Sequence, residues 1–211
     1  MIQTNDVVLF QGDSITDCGR SREVPSINSG LGGGYAHLVA CTLLAQRPND
    51  NLSFLNRGIS GDRITSLMAR WKADALNLKP TVVSILIGIN DIWHEFGSKT
   101  GTNMDKYERF YRELLQDTRA ALPGVRLVLC DPFVLRCGVV QPEWLPVLAQ
   151  EQALVQTLAT EIGATVVAFQ KMFDAAAQKT PPAYWSGDGV HPTLAGHMLM
   201  AQEWIKTVAG K

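Results

Sequence analysis

Five short apolar runs stand out along the chain, and each is nearly continuous rather than alternating with polar residues. Continuous runs rich in Val, Ile and Leu are typical of strands that are buried on both faces of a sheet. They are Val7 to Phe10, Leu52 to Leu55, Val82 to Ile87, Val125 to Cys130 and Thr165 to Phe169. The pattern therefore predicts five strands.

The stretches between these runs repeat apolar residues at helical spacing. They are Tyr35 to Gln46, Ile64 to Leu76, Tyr107 to Leu122, Leu148 to Ile162 and Leu194 to Val208. Pro48, Pro80 and Pro123-Gly124 each end a helical pattern just before the next apolar run. This alternation predicts an α/β fold with a parallel, doubly wound sheet, in which functional residues follow the carboxyl ends of the strands.

Composition and charge exclude several classes of protein. The 211 residues are 46% hydrophobic and 18% charged with no segment that resembles a linker, so we expect one domain over residues 1–211. The formal charge of -1 and the lack of a basic stripe argue against nucleic acid as a partner. The first residues lack the basic start and apolar stretch of a signal peptide, and no run approaches a membrane span. We therefore expect a cytoplasmic protein that does not enter a membrane.

Cysteines and glycines give no sign of a cofactor. The four cysteines form no CxxC pair and are interpreted as reduced, buried side chains. They are Cys18, Cys41, Cys130 and Cys137. The glycine patch Gly30-Leu31-Gly32-Gly33-Gly34 matches neither GxGxxG nor GxxxxGK, so we interpret it as a flexible loop entering a helix rather than a phosphate cradle.

The first predicted strand leads into Gly12-Asp13-Ser14-Ile15-Thr16-Asp17. A serine at the carboxyl end of a strand, two residues after a glycine that permits a sharp turn, is presented as a nucleophile would be. Serine and aspartate also cap helices, and the tripeptide alone favours that structural interpretation. Ser14 is a candidate nucleophile only if a base is found for it.

Four histidines are available as the base. His37 and His197 lie in helical patterns, and His94 lies on a predicted loop. His191 lies in a loop before the last helix, three residues after Asp188. In a tight turn this spacing lets a carboxylate orient the imidazole, although a capped helix N-terminus would explain the pair equally well. The histidines show no HExxH motif or other ligand spacing, so we expect no metal and no cofactor.

Acyl transfer also needs hydrogen-bond donors for an oxyanion, and two candidates follow neighbouring strands. Gly61 follows the second strand and could offer a backbone N–H where a side chain would block approach. Asn90, in Gly88-Ile89-Asn90-Asp91 after the third strand, could offer its amide. Each alone would be interpreted as a turn residue. The GxSxG elbow of the α/β-hydrolases is absent, so a different serine-hydrolase scaffold is needed.

Taken together, these segments resemble the four sequence blocks of the SGNH/GDSL hydrolases in order and spacing. The blocks are Gly12-Asp13-Ser14, Gly61, Gly88-Ile89-Asn90-Asp91 and Asp188-Gly189-Val190-His191-Pro192. The resemblance implies that Ser14 is the nucleophile and donates its N–H, that Gly61 and Asn90 are the other oxyanion donors, and that His191 and Asp188 complete a triad. It also implies a flavodoxin-like three-layer α/β/α sandwich with five parallel strands.

Within this family the chain most resembles small bacterial acetylxylan esterases. The segments that carry this finer likeness are Gly12 to Arg20, Ala69-Arg70-Trp71, Ile87 to Trp93 and Ala195-Gly196-His197-Met198. The expected substrate is a short acyl ester, of the acetyl type, on a sugar or xylo-oligosaccharide. Trp93 and Trp185 are candidates for stacking on sugar rings, although packing in the core would explain either of them equally well. Asp13, Arg63 and Asp91 are further candidates for the pocket border, although ion pairing or capping would also explain them.

Three other interpretations stay open. The same triad serves lysophospholipases and thioesterases, and a catalytically silent carbohydrate-binding module could use the same sheet. Self-association is also possible, because Trp144, Leu145 and Val147 lie around Pro142 and Pro146 in what we interpret as a loop patch.

Overall fold

The computed structural model describes residues 2–22 and 27–210 and contains a five-stranded parallel sheet. The strands are β1 (Val7–Gly12), β2 (Ser53–Asn56), β3 (Val82–Leu86), β4 (Arg126–Cys130) and β5 (Thr165–Val167). Their order across the sheet is β2-β1-β3-β4-β5, with Leu9 of β1 paired to Leu55 on one side and Val83 on the other. The predicted parallel sheet is confirmed.

Helices connect the strands and cover both faces of the sheet. They are α1 (Ser14–Asp17), α2 (Tyr35–Gln46), α3 (Ile64–Asp74), α4 (Ile89–Ser98), α5 (Met104–Ala121), α6 (Trp144–Ile162), α7 (Phe169–Ala177), α8 (Pro182–Trp185) and α9 (Leu194–Trp204). A 3₁₀ turn (Leu76–Leu78) follows α3, and a π-helical turn (Ile205–Ala209) continues α9.

The sheet separates two hydrophobic cores. Phe10 and its neighbours on one face pack with residues of α2, α7 and α9, whereas Leu9 and Val83 on the other face pack with residues of α3, α5 and α6. Burial on both faces explains why the strands are continuous apolar runs. The arrangement is the predicted flavodoxin-like three-layer sandwich.

One segment predicted as a loop is a helix. His94 and the residues around it belong to α4, which begins at Ile89 and ends at Ser98. Its apolar positions Ile92, Trp93 and Phe96 follow helical spacing, and all three pack against the first core. Asn90, which alone would be interpreted as a turn residue, lies in the first turn of this helix.

Two other boundaries differ from the predictions. Phe169, expected at the end of a strand, is the first residue of α7 and is fully buried. Trp144, expected in a loop patch, begins α6 and is 2% exposed, so it does not offer a surface for self-association. Pro146 lies within the first turn of α6, where a missing N–H costs no intrahelical hydrogen bond.

The glycine patch leads directly into α2 as predicted, with Gly34 as the residue before the helix. All four cysteines are free thiols, but the prediction that they are buried is wrong for most of them. Cys130 is buried, Cys18 and Cys137 are half-buried, and Cys41 is exposed. Within the part of the chain that the structure describes, no helix is long and apolar enough to cross a membrane.

Candidate active site

Ser14 is the first residue of α1, immediately beyond the end of β1. Gly12 has a φ of +155°, and a Cβ at this position would lie 2.2 Å from the Leu86 carbonyl oxygen of β3. Only glycine fits this conformation next to the neighbouring strand. The Asp13 side chain accepts a hydrogen bond from the Ile15 N–H (3.0 Å) and so caps α1. The half-buried Ser14 side chain is thereby fixed at the edge of the sheet.

The structure brings Ser14, His191 and Asp188 together in one chain of hydrogen bonds. The Ser14 Oγ lies 2.8 Å from His191 Nε2, and His191 Nδ1 lies 2.7 Å from Asp188 Oδ2. An ionised carboxylate can only accept, which assigns the ring proton to Nδ1 and leaves Nε2 free to accept the Ser14 proton. This is the geometry that a nucleophile, its base and an orienting acid require.

Asp188 is held as an ionised group. Its Oδ1 accepts hydrogen bonds from the Val190 N–H (2.8 Å), the His191 N–H (2.7 Å) and the Ser186 hydroxyl (3.1 Å). Partial burial acts to raise the pKa of Asp188, but the His191 ring and the backbone donors outweigh it and lower the pKa to about 2.

Ser186 has a role in this loop that the sequence did not reveal. It is fully buried, and its hydroxyl also lies 2.9 Å from the His191 carbonyl oxygen. The segment after β4 supports the same loop from outside, because the Val139 N–H donates to the Asp188 carbonyl (2.9 Å) and the Leu135 N–H to the Gly189 carbonyl (2.8 Å). The loop is therefore fixed by contacts both within it and across the chain.

The two predicted oxyanion donors lie on adjacent loops that are bonded to each other. Asn90 is 6% exposed, and its Nδ2 donates to the Asp62 carbonyl (3.1 Å), which leaves the second amide hydrogen available. Gly61 is exposed and has a φ of +86°, so its backbone conformation also favours glycine. The Ile64 N–H donates to the Asp91 carboxylate (3.1 Å to Oδ2) and ties the same two loops together.

Arg70 joins these loops to the Ser14 turn, a role that the sequence did not reveal although the residue lies in a segment quoted above. The side chain is 14% exposed. It donates to the Asp62 carboxylate (2.7 Å), the Gly12 carbonyl (3.2 Å), the Gln11 side chain (2.9 Å) and Asp74 (3.2 Å). One guanidinium therefore contacts both the turn before Ser14 and the loop after Gly61.

The prediction that Asp13 and Asp91 border a pocket is wrong. Both residues are 0% exposed, and both accept backbone N–H groups at helix starts instead. Burial raises the pKa of each carboxyl to about 7. Arg63 is half-buried and donates to the Thr100 carbonyl beyond α4, so its side chain is engaged in a structural contact.

The two tryptophans occupy different places. The Trp93 ring lies 5.9 Å from the His191 ring and 5.7 Å from the buried Trp144 ring behind it. Trp185 instead lines a cavity of about 530 Å³ with residues of α7 and α9, among them Met172 and Leu199. Ser14 and His191 are not part of that lining, so the expected contact of Trp185 with substrate at Ser14 is not supported.

Within residues 2–22 and 27–210, no group of three or more His, Cys, Asp or Glu side chains is arranged to hold a metal ion.

Comparison with known proteins assigns the family. A model of the GDSL-like lipase/acylhydrolase family matches residues 10–199. An acetylxylan esterase from Geobacillus stearothermophilus is 35% identical over 98% of this chain and 95% of its own length. A crystal structure of an acetylxylan esterase from the same organism has a TM-score of 0.91 at 33% identity, covering 100% of this chain and 97% of that one.

A second solved structure is similar over the full length. A Parabacteroides merdae protein assigned as a GDSL-like lipase has a TM-score of 0.96 at 40% identity and covers 100% of this chain and 99% of its own. These matches extend over the sheet and over every block around Ser14. The chain therefore belongs to the GDSL-like lipase/acylhydrolase family and is a carboxylic ester hydrolase.

Proposed function

We propose that this protein is a serine esterase that removes short acyl groups, of the acetyl type, from sugars or xylo-oligosaccharides. Ser14 is the nucleophile, His191 its general base and Asp188 the group that orients the base. The observation that carries the proposal is the continuous hydrogen-bond chain from the Ser14 Oγ through the His191 ring to Asp188, with lengths of 2.8 Å and 2.7 Å.

In the first half-reaction, His191 Nε2 takes the hydroxyl proton as the Ser14 Oγ attacks the ester carbonyl carbon. The tetrahedral intermediate collapses, the sugar hydroxyl leaves with the proton from His191, and an acyl-enzyme remains. In the second half, His191 removes a proton from water as the water oxygen attacks the acyl-enzyme. The intermediate collapses, the bond to the Ser14 Oγ breaks, His191 returns the proton to that oxygen, and the carboxylic acid is released. The ionised Asp188 stabilises the imidazolium that forms in each half.

The oxyanion of the intermediate needs donors that are already in place. We assign this role to the Ser14 N–H, the Gly61 N–H and the Asn90 amide. Ser14 is the first residue of α1, so its N–H has no partner within the helix. The hydrogen bond from Asn90 to the Asp62 carbonyl supports the assignment, because it fixes the amide and its remaining hydrogen in one orientation.

The proposed sugar substrate is supported by the acetylxylan esterase relatives and by Trp93. The Trp93 indole is half-buried beside His191, where an aromatic face can stack on a sugar ring. The substrate proposal is tested with a series of esters that differ only in acyl length. A preference for octanoyl over acetyl esters would contradict it and favour a lysophospholipase or thioesterase activity.

The central experiment measures acetate released from acetylated xylo-oligosaccharides by the wild type and by Ser14→Ala. We expect release by the wild type and a loss of a thousandfold or more in the variant, on the order seen when a triad member is removed. A variant that keeps wild-type rates would refute Ser14 as nucleophile. Labelling by an active-site phosphonate separates an esterase from a silent binding module, because only an activated serine reacts.

A further inference from the structure

Glu151 lies within α6 and is 0% exposed. Neither of its carboxyl oxygens has a hydrogen-bond partner among residues 2–22 and 27–210. A buried polar group without a partner lowers stability compared with an apolar side chain of similar size. Stability alone therefore gives no reason for glutamate at this position.

The Glu151 carboxyl packs directly against Gly88. A Cβ at residue 88 would lie 2.4 Å from Glu151 Oε2 and 2.9 Å from the Tyr107 hydroxyl oxygen, and Gly88 has a φ of +135°. The Tyr107 hydroxyl also donates to the Ile87 carbonyl (3.0 Å). The carboxyl and the phenol together fill the space that a side chain at residue 88 would occupy.

Gly88 begins the turn that carries Asn90. It caps the ten-residue helix α4, and its carbonyl accepts the Asp91 N–H (2.8 Å). The first N–H groups of a helix have no intrahelical partners, and the positive end of the helix dipole favours oxygen atoms nearby. The Glu151 carboxyl lies at this end of α4, on the buried side of the turn.

The surroundings disfavour ionisation of this carboxyl. Burial raises the pKa of Glu151 well above its usual range, and the nearby Asp91 raises it further. The other titratable groups that face it are Tyr107 and Tyr111 of α5, whose own pKa values burial raises. An ionised carboxylate here would oppose the negative charge that develops on an oxyanion next to Asn90.

We propose that Glu151 is a positioning residue whose buried carboxyl group, packed against Gly88, holds the Gly88–Asn90 turn, so that the Asn90 amide meets the oxyanion. The inference rests on the proposed function, in which Asn90 is an oxyanion donor. Glu151 touches no reacting atom and acts only through the first turn of α4.

The test compares Glu151→Met, which keeps the bulk, with Glu151→Gln, which keeps a neutral polar group of the same shape. Glu161→Gln, at an exposed acid near the end of the same helix, is the matched control. We expect the Met variant to have an equal or higher Tm but a kcat about tenfold lower with an unchanged KM, a smaller loss than removal of a donor. The Gln variant is expected to stay close to wild type at neutral pH. A folded Met variant with wild-type kcat, or with a change in KM alone, overturns the proposal.

If the Met variant does not fold, Glu151→Leu is measured in its place. A folded Leu variant with a kcat about tenfold lower and an unchanged KM supports the proposal. A folded Leu variant with wild-type kcat, or with a change in KM alone, overturns it. Ser14→Ala is measured in the same assay. If that variant stays active, the proposed function has failed. If it is inactive while the Met variant is fully active, only the role of Glu151 has failed.

Discussion

Two sets of carboxyl groups surround Ser14, and their environments have opposite effects on them. Asp188 is half-buried, with three donors on one oxygen and the His191 ring on the other, and its pKa falls to about 2. Asp13 and Asp91 are fully buried with few donors, and burial raises their pKa to about 7. The comparison teaches that burial and hydrogen-bond donors, rather than distance from Ser14, decide how readily each carboxyl ionises.

The role of the ionised Asp188 carboxylate is tested by Asp188→Asn. An amide in place of the carboxylate stabilises the wrong tautomer of His191, so we expect kcat to fall by about 10⁴-fold with little change in KM. Steady-state kinetics on an acetyl ester gives the measurement. Asp105→Asn, at an exposed acid at the start of α5, is the control. Activity above a tenth of wild type would contradict the role assigned to Asp188.

Asp62 shares a feature with each set, because it is buried like Asp13 and Asp91 but also has a strong hydrogen-bond donor, Arg70. Burial raises its pKa, and the guanidinium works against that rise. Arg70→Met leaves the buried Asp62 carboxylate without its guanidinium partner and removes one of two donors to the Gly12 carbonyl, which keeps the Ile59 N–H. We expect a loss of about 3–5 kcal/mol in the free energy of unfolding. Denaturant unfolding measures this loss. Arg119→Met, at an exposed arginine of α5, is the control, and we expect it to lower the free energy of unfolding far less. An equal loss in both variants would refute the structural role assigned to Arg70.

The raised pKa values of the buried carboxyl groups predict how the free energy of unfolding depends on pH. Asp13 and Asp91 bind protons more tightly in the folded than in the unfolded chain, so their contribution is complete below about pH 4 and is lost as the pH rises through about 7. The pH-dependent contribution of each carboxyl to the free energy of unfolding is on the order of a few kcal/mol.

Urea unfolding of wild type and of Asp91→Asn, measured from about pH 4 to above about pH 7, tests whether stability falls as the pH rises. The asparagine variant should lose less stability as the pH rises, because it cannot ionise. Asp188 works in the opposite direction, since its contribution is present above its unfolded pKa and is lost as the pH falls towards about 2. A variant with the same pH dependence as wild type would contradict the raised pKa of Asp91.

The smallest expected effect comes from Ser186→Ala. It removes one of the donors to Asp188 and leaves the two backbone donors in place. A hydrogen bond to a charged group contributes about 1.5–3 kcal/mol, so we expect kcat to fall roughly tenfold with KM unchanged. Ser98→Ala, at an exposed serine of α4, serves as the control. A loss as large as that of Asp188→Asn would mean that Ser186 does more than support the carboxylate.

The sequence alone predicted the parts of the molecule that depend on local pattern. Continuous apolar runs gave the five strands, since residues buried on both faces of a sheet must all be apolar. Asp188 and His191 were paired correctly in space because three residues in a tight turn place them side by side. Ser14, Gly61 and Asn90 became candidates because each lies in a segment that follows a predicted strand and matches a block of the family.

Only the tertiary structure decided the roles of the residues behind these loops. Asp13 and Asp91 were expected at the pocket border, but burial makes them caps within the protein. Arg70 and Glu151 act across contacts between elements far apart in the chain, and such contacts leave no periodic trace in the sequence. Burial and hydrogen-bond partners set the charge of each carboxyl, and both depend on how the helices pack around the sheet rather than on neighbouring residues.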